Sequence, residues 1–188
     1  MRCSIFREHF QISNGKTLAT IIPTLHPLYS ARLSRRQQSS NPELWDTLDS
    51  VCDPELPGVT LWDLGVLQDI NIIDNSIEVG ITLTYTGCPA VHTMKQDIKT
   101  CLSQHYSDYD IKVKVLLSPA WSTDMMSPEA KNQLADIHIV APDANDHVQC
   151  PLCNSANTTL LSQFGSTACK ALYRCDECQE TFDYFKSL

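Results

Sequence analysis

The alternation of apolar and polar positions divides the chain into a patternless beginning, a strongly periodic middle and a short cysteine-rich tail. Residues 1–40 hold no sustained period, and residues 33–40 read as a polar connector, so a disordered extension is expected there. At Asn41-Pro42 an Asn suited to a helix cap meets a Pro suited to the first helical position, and Leu44, Trp45, Leu48, Val51 and Cys52 then share one face. Two prolines and a glycine in Asp53-Pro-Glu-Leu-Pro-Gly58 end that helix. A strand from about Val66 to Ile73, a turn at Asp74-Asn75 and a strand from about Ser76 to Thr84 follow. In the second strand Ile77, Val79, Ile81 and Leu83 fall on one side and Glu78, Thr82 and Thr84 on the other, the pattern of a half-buried hairpin.

Beyond the loop Tyr85-Thr-Gly-Cys-Pro89, a second helix carries Val91, Met94, Ile98, Cys101 and Leu102 on its apolar side. Ile111, Val113, Val115 and Leu117 alternate as a third strand, and Ser127-Pro128-Glu129 announces a short last helix with Leu134 facing inward. Helix, hairpin, helix, strand and helix in that order predict a small α/β (α+β) sandwich, a sheet with helices on one face. The expected division is a basic extension over 1–40, the sandwich over 41–140, a polar linker over 141–149 and a cysteine-bearing β domain over 150–188.

Charge sharpens that division. The net charge of −8 splits into +5 over residues 1–40 (six Lys/Arg, one Glu), −12 over 41–149 (five against seventeen) and −1 over 150–188 (three against four). An acidic middle repels phosphate backbones, which argues against nucleic acid and in favour of a cationic protein partner. No apolar run approaches the roughly 18 residues that span a bilayer, so no membrane is expected. Nine cysteines, an odd number, and no signal-peptide stretch make a reducing cytoplasm the expected compartment.

The cysteines hold most of the chemistry. Cys150-Pro-Leu-Cys153 and Cys175-Asp-Glu-Cys178 are two CxxC knuckles separated by 174 − 153 = 21 residues, enough for a hairpin, and four thiolates so arranged suit one tetrahedral zinc. Cys88 lies between a strand and a helix. Unpaired amides at a helix start lower a thiol's pKa, which would make it a metal ligand or nucleophile; a small apolar residue packed at a cap is the alternative. Asp53, Glu55 and Asp63 are carboxylates that bind a cation, move protons or simply cap turns. His92, one turn past Cys88, is a ligand or a surface residue, and Cys169 a spare thiol, an exchangeable ligand or a core position. Trp121, Tyr173, Phe182, Tyr184 and Phe185 are assigned to two small cores. No phosphate loop, dinucleotide-binding glycine pattern, nucleophile elbow or metalloprotease signature is present, so no self-sufficient enzyme is expected.

Asp53-Pro-Glu-Leu-Pro-Gly, Asp63-Leu-Gly65, Thr84-Tyr-Thr-Gly-Cys-Pro-Ala90 and Pro119-Ala-Trp121 resemble the MIP18 (DUF59) domain of iron-sulfur cluster assembly factors. The tail, from Cys150 through Phe164-Gly-Ser-Thr-Ala-Cys-Lys-Ala-Leu-Tyr-Arg-Cys175 to Phe182-Asp-Tyr-Phe-Lys186, resembles the PaaD family, encoded with the phenylacetyl-CoA epoxidase of aerobic phenylacetate degradation. The resemblance implies a non-catalytic accessory or maturation subunit of that epoxidase, assisting iron-sulfur cluster assembly or transfer to its reductase. It makes Cys88 the candidate cluster or iron ligand, Asp53 and Glu55 supporting loop carboxylates, Cys150, Cys153, Cys175 and Cys178 the ligands of a β zinc ribbon, and Cys169 a thiol without a settled role. Oxygenase or reductase subunits are the implied partners, and a homodimer follows if Cys88 holds a transient cluster, because one cysteine cannot complete a four-ligand site. The competing reading is a structural or regulatory subunit that docks on the oxygenase without handling iron.

Overall fold

Residues 25–142 and 147–186 are described by a computed structural model. The first element is a surprise to the hydrophobic pattern: helix α1 (Pro27–Gln37) occupies part of the stretch expected to be disordered. Its only buried residue is Arg32, not an apolar one, so no apolar period could reveal it. Arg32 donates from Nη1 to the Met125 carbonyl and from Nη2 to those of Trp62 (2.6 Å) and Leu67 (3.0 Å), and its guanidinium lies 4.2 Å from the Trp62 ring centroid. Next to it, Arg36 is bound by Asp49 at 2.7 Å and Asp46 at 3.0 Å. Part of the cationic partner that the acidic middle calls for is therefore the chain's own first helix.

Helix α2 (Pro42–Leu48) starts where Asn41 and Pro42 predict, but it is shorter than the apolar face suggested. Val51 and Cys52 lie beyond it, Cys52 bridging to Thr60 in an extended loop. Strands β1 (Leu67–Ile73) and β2 (Ser76–Ile81) form the expected hairpin, with Asp74 at φ 53° in its turn. Helix α3 (Val91–Ser103) then crosses over to β3 (Asp110–Val115), which pairs parallel with β2, so the sheet order is β1-β2-β3. Ile77, Val79 and Ile81 meet Met94, Ile98 and Leu102 of α3 and Leu44, Trp45 and Leu48 of α2 in one core. A 3₁₀ turn (Thr123–Met125) precedes α4 (Pro128–Asp136), whose cap is the predicted one: Ser127 Oγ accepts the Ala130 amide at 3.0 Å. Gly65, at φ 88°, passes so near this turn that a Cβ would meet Met125 Cβ at 2.8 Å.

The second sheet has the order β4-β7-β6-β5, from β4 (Ile139–Val140), β5 (Thr158–Ser162), β6 (Lys170–Cys175) and β7 (Thr181–Phe185). Here β4 matters most, because it leaves the first layer and pairs parallel with the last strand, Ile139 opposite Asp183 and Val140 opposite Tyr184. Of the expected linker over 141–149, residues 143–146 lie outside the described residues.

The aromatic residues expected to fill two cores do so, divided between a large and a small one. Cys150, Cys175 and Phe182 form a small core, with Tyr173 against it. Phe185 instead is fully buried in the large one, 5.4 Å from Trp121 between ring centroids. The Trp121 indole donates to the Leu64 carbonyl at 3.0 Å, which fixes the ring that receives Phe185.

Candidate metal and thiol sites

The four knuckle cysteines converge. Their sulfurs all lie within 4.8 Å of one another, the only such group of His, Cys, Asp or Glu among the described residues. Cys150 Sγ is 3.6 Å from Cys178 Sγ and Cys153 Sγ 3.5 Å from Cys175 Sγ, near the ~3.8 Å edge of a tetrahedron with metal–sulfur bonds of about 2.3 Å. Asn154 and Gln179, one residue beyond each CxxC, take positive φ (59° and 63°), turning the backbone around the sulfurs. Cys150 and Cys175 are buried, Cys153 and Cys178 exposed.

Without a cation the four thiols cannot all ionise. Burial opposes the Cys150 thiolate, but the amides of Cys153 and Leu152 and the neighbouring thiols outweigh it and bring its pKa to about 7. At Cys178 the Glu180 amide favours the thiolate, yet burial and the three neighbouring sulfurs push the pKa up to about 12. One ion relieves that crowding of negative charge, so donor type, spacing and electrostatics fit a metal centre.

The second constellation is built across both sheets. Glu55, Thr84, Tyr85 and Cys88 on one side and Ala168 and Cys169 on the other line a shallow recess of about 160 Å³, its open mouth included. Asp53 is buried behind the loop, its Oδ1 accepting the Glu55 amide at 2.9 Å while its own amide donates to the Val59 carbonyl at 2.9 Å. Burial raises the pKa of Asp53, helped by nearby Glu55 and opposed by the loop amides and by Lys170.

At Cys88 the expected lowering of the thiol pKa is not found. Helix α3 begins at Val91, with Ala90 at its cap, so Cys88 sits in the turn before it, its amide bound to the Tyr85 carbonyl at 3.0 Å. Burial raises the pKa of Cys88, the Ala90 amide opposes this, and the charges of Glu55, Asp53 and Cys169 raise it further. Desolvation and like charge outweigh the helix terminus here.

The remaining candidates separate. Asp63 accepts the Thr60 hydroxyl at 2.7 Å and caps its own turn, so it does not join Asp53 and Glu55. His92 is exposed on α3. Cys169, by contrast, is 8% exposed and packs in the large core, apart from the four clustered sulfurs. Burial raises its pKa; the Thr167 hydroxyl, 3.0 Å from its sulfur, and Lys170 act in the opposite direction.

Two residues beside Cys169 carry no sequence signal of a site. Lys170 is 3% exposed, with Nζ 3.6 Å from Asp183 Oδ2, and Asp183 Oδ1 also accepts the Ser166 amide at 3.1 Å. The burial of Lys170 follows no alternation along β6, whose first two residues, Lys170 and Ala171, are both buried.

The two layers coincide with matches to two families, one of iron-sulfur cluster assembly proteins and one of zinc ribbons. The family described as iron-sulfur cluster assembly protein matches residues 42–115, and that described as PaaD zinc beta ribbon domain matches 137–186. A putative 1,2-phenylacetyl-CoA epoxidase subunit of Escherichia coli is 40% identical over 153 residues, covering 78% of this chain and 92% of that protein. The chain belongs to the PaaD family of phenylacetyl-CoA epoxidase subunits. The "Fe-S protein maturation auxiliary factor SufT" of Staphylococcus aureus is 38% identical over 82 residues, 43% of this chain and 92% of that one. Among solved structures, the DUF59 domain of unknown function from Bacillus anthracis aligns with a TM-score of 0.46 at 31% identity, covering 56% of this chain and 95% of that one.

Proposed function

We propose that the protein is an accessory subunit of a phenylacetyl-CoA epoxidase system that assists iron-sulfur cluster assembly or transfer, with the reductase component as its client, and is not itself the catalyst. The observation that carries this reading is the place of Cys88: within the segment matched to iron-sulfur assembly proteins, facing a recess it shares with Glu55. Names of relatives point the same way, one as a subunit of the epoxidase and one as a factor in Fe-S protein maturation. Iron or cluster is cargo in this reading. Cys88 binds it, Asp53 and Glu55 set the charge of the loop beside it, and a client or second copy of the chain supplies the missing ligands.

Zinc is the metal assigned to Cys150, Cys153, Cys175 and Cys178, because four thiolates in two knuckles suit a tetrahedral ion without redox chemistry. When bound, it supplies a structural cross-link between the two turns.

Replacing Cys88 by Ser tests the reading. The expected result is an unchanged circular dichroism spectrum, loss of epoxidase activity in cells and a fall in cluster content of the reductase. Full activity would remove Cys88 from the mechanism. Elemental analysis of protein purified without oxygen separates the two functional classes: zinc with iron and matching sulfide supports cargo handling, whereas zinc alone together with an active Cys88→Ser variant supports a docking subunit. That second class draws on one observation, that the groups of the recess do not converge as the knuckle sulfurs do.

A further inference from the structure

Cys169 is the ribbon's fifth cysteine, and its place is not explained by the ribbon. It is absent from the group of four converging sulfurs and from the ribbon's small core, and it packs with the large core instead. Cys169 and Cys88 line one recess with Glu55, Cys88 from the loop after β2 and Cys169 from the turn before β6. The charges of Asp53 and Glu55 raise the pKa of both thiols.

The loop that presents Cys169 is held from several directions. Gly165 donates to the Lys170 carbonyl at 2.8 Å, Lys170 to that of Thr167 at 3.1 Å and Lys186 to that of Cys169 at 3.0 Å. Asp183 ties the Ser166 amide and the Lys170 ammonium together, and it crowds Gly165 so closely that a Cβ there would meet Asp183 Oδ1 at 2.2 Å. Filling a core needs none of this fixing. Holding a donor atom in place does.

The geometry points to Cys88 and Cys169 acting as paired thiolate ligands in a site for thiophilic iron that is complete only while the ribbon is folded against the first sheet. The inference rests on the cargo reading of Cys88 and adds the second ligand that reading lacks. Two sulfurs suit ferrous iron or the iron of a cluster rather than a hard cation. The recess is open and, among the described residues, no third donor stands with both sulfurs in a group within 4.8 Å, so the remaining ligands come with the cargo or from the protein that receives it. Binding forms two S–Fe bonds and releases two thiol protons to solvent, with no change of oxidation state. The buried Lys170 cation offsets part of the negative charge gathered there.

The test uses full-length, zinc-loaded protein under anaerobic conditions, in two arms. Cobalt(II) is added as a stand-in for one ferrous ion, reading the thiolate-to-cobalt absorption in the near ultraviolet; iron and sulfide are added to form a cluster, reading visible absorption and acid-labile sulfide. Expected is a signal beyond that of the ribbon, cut to about half by Cys169→Ser and by Cys88→Ser and absent from the double variant, as two sulfur donors require. A signal in the cobalt arm identifies a single ion; one confined to the iron and sulfide arm identifies a cluster. A Cys169→Ser variant that behaves as wild type in both arms while Cys88→Ser loses the signal overturns the paired site and leaves the cargo reading standing. No effect of either change, or no binding in either arm, overturns both. Zinc content reports folding of the ribbon in each variant. Should Cys169→Ser lose its zinc, the wild-type chain decides: metal must protect the Cys88 and Cys169 peptides from alkylation together, and protection of Cys88 alone refutes the pairing.

Discussion

The two sulfur sites of this chain are opposites. The knuckle site is closed in geometry and formed within the ribbon; the recess is open and lies between loops of the first layer and a turn of the ribbon. A closed set of four equivalent donors suits a resident ion, since no position is left for exchange. An incomplete set on a wall suits something that arrives and leaves. In the proposed function a metal at the first site holds the sheet that positions half of the second, which makes the stable site a condition of the labile one.

The largest blow to this relation is removal of the metal proposed for the knuckle cysteines. Structural zinc contributes about 10–16 kcal/mol in small metal-dependent domains, so Cys175→Ala or strong chelation is expected to unfold β5, β6 and β7. Circular dichroism should lose strand signal, and alkylation of Cys88 should speed up as Cys169 and Ala168 leave the recess. Unchanged Cys88 reactivity would break the dependence of one site on the other.

Phe185→Ala strikes the seam instead of the metal. Loss of this fully buried ring, packed on Trp121, is expected to cost about 3–5 kcal/mol in a denaturant titration. The four knuckle cysteines remain together, so zinc content should hold while Cys88 becomes more reactive. Zinc loss in this variant would show that the sites cannot be separated.

Arg32→Met tests the support on the far side. It leaves the carbonyls of Trp62, Leu67 and Met125 without their donor, for an expected loss of about 2–3 kcal/mol. Because α1 touches neither sulfur set, zinc stoichiometry should be unaffected.

Asp53→Asn is the smallest change and has the opposite sign. Burial raises the pKa of Asp53 in the folded chain, so the folded state holds its proton to higher pH than the unfolded chain does. The stability this contributes is present below the unfolded value and is lost as pH rises through the raised folded one. Unfolding midpoints measured from acid to neutral pH should fall for the wild type relative to Asp53→Asn, which should be the more stable at neutral pH. Equal pH dependence would mean that the carboxylate is adequately compensated where it lies.

Much of the fold is legible in the sequence because its signals are local. The hairpin around Asp74-Asn75, the apolar face of α3 and the Ser127 cap of α4 each depend on residues a few positions apart, and the knuckle cysteines advertise themselves by spacing. Helix α1 escapes because what it buries is a guanidinium that binds three carbonyls and a ring face. The shift at Cys88 is misread for a related reason: the sequence displays the coming helix, but neither the burial nor the carboxylates and second thiol that oppose its charge. The partnership of Cys88 with Cys169 depends on where β4 and Phe185 anchor the ribbon, a long-range consequence of packing that no motif encodes.

The contact of Trp121 with Phe185 gives the chain an optical gauge of its own. Of three tryptophans, Trp45 and Trp62 meet edge to face, 5.4 Å between ring centroids, inside the first layer, and only Trp121 lies on the seam. Withdrawal of the ribbon would bring water to one indole and leave the other two dry, so a red shift in emission with part of the spectrum unmoved would follow opening in real time, without any label.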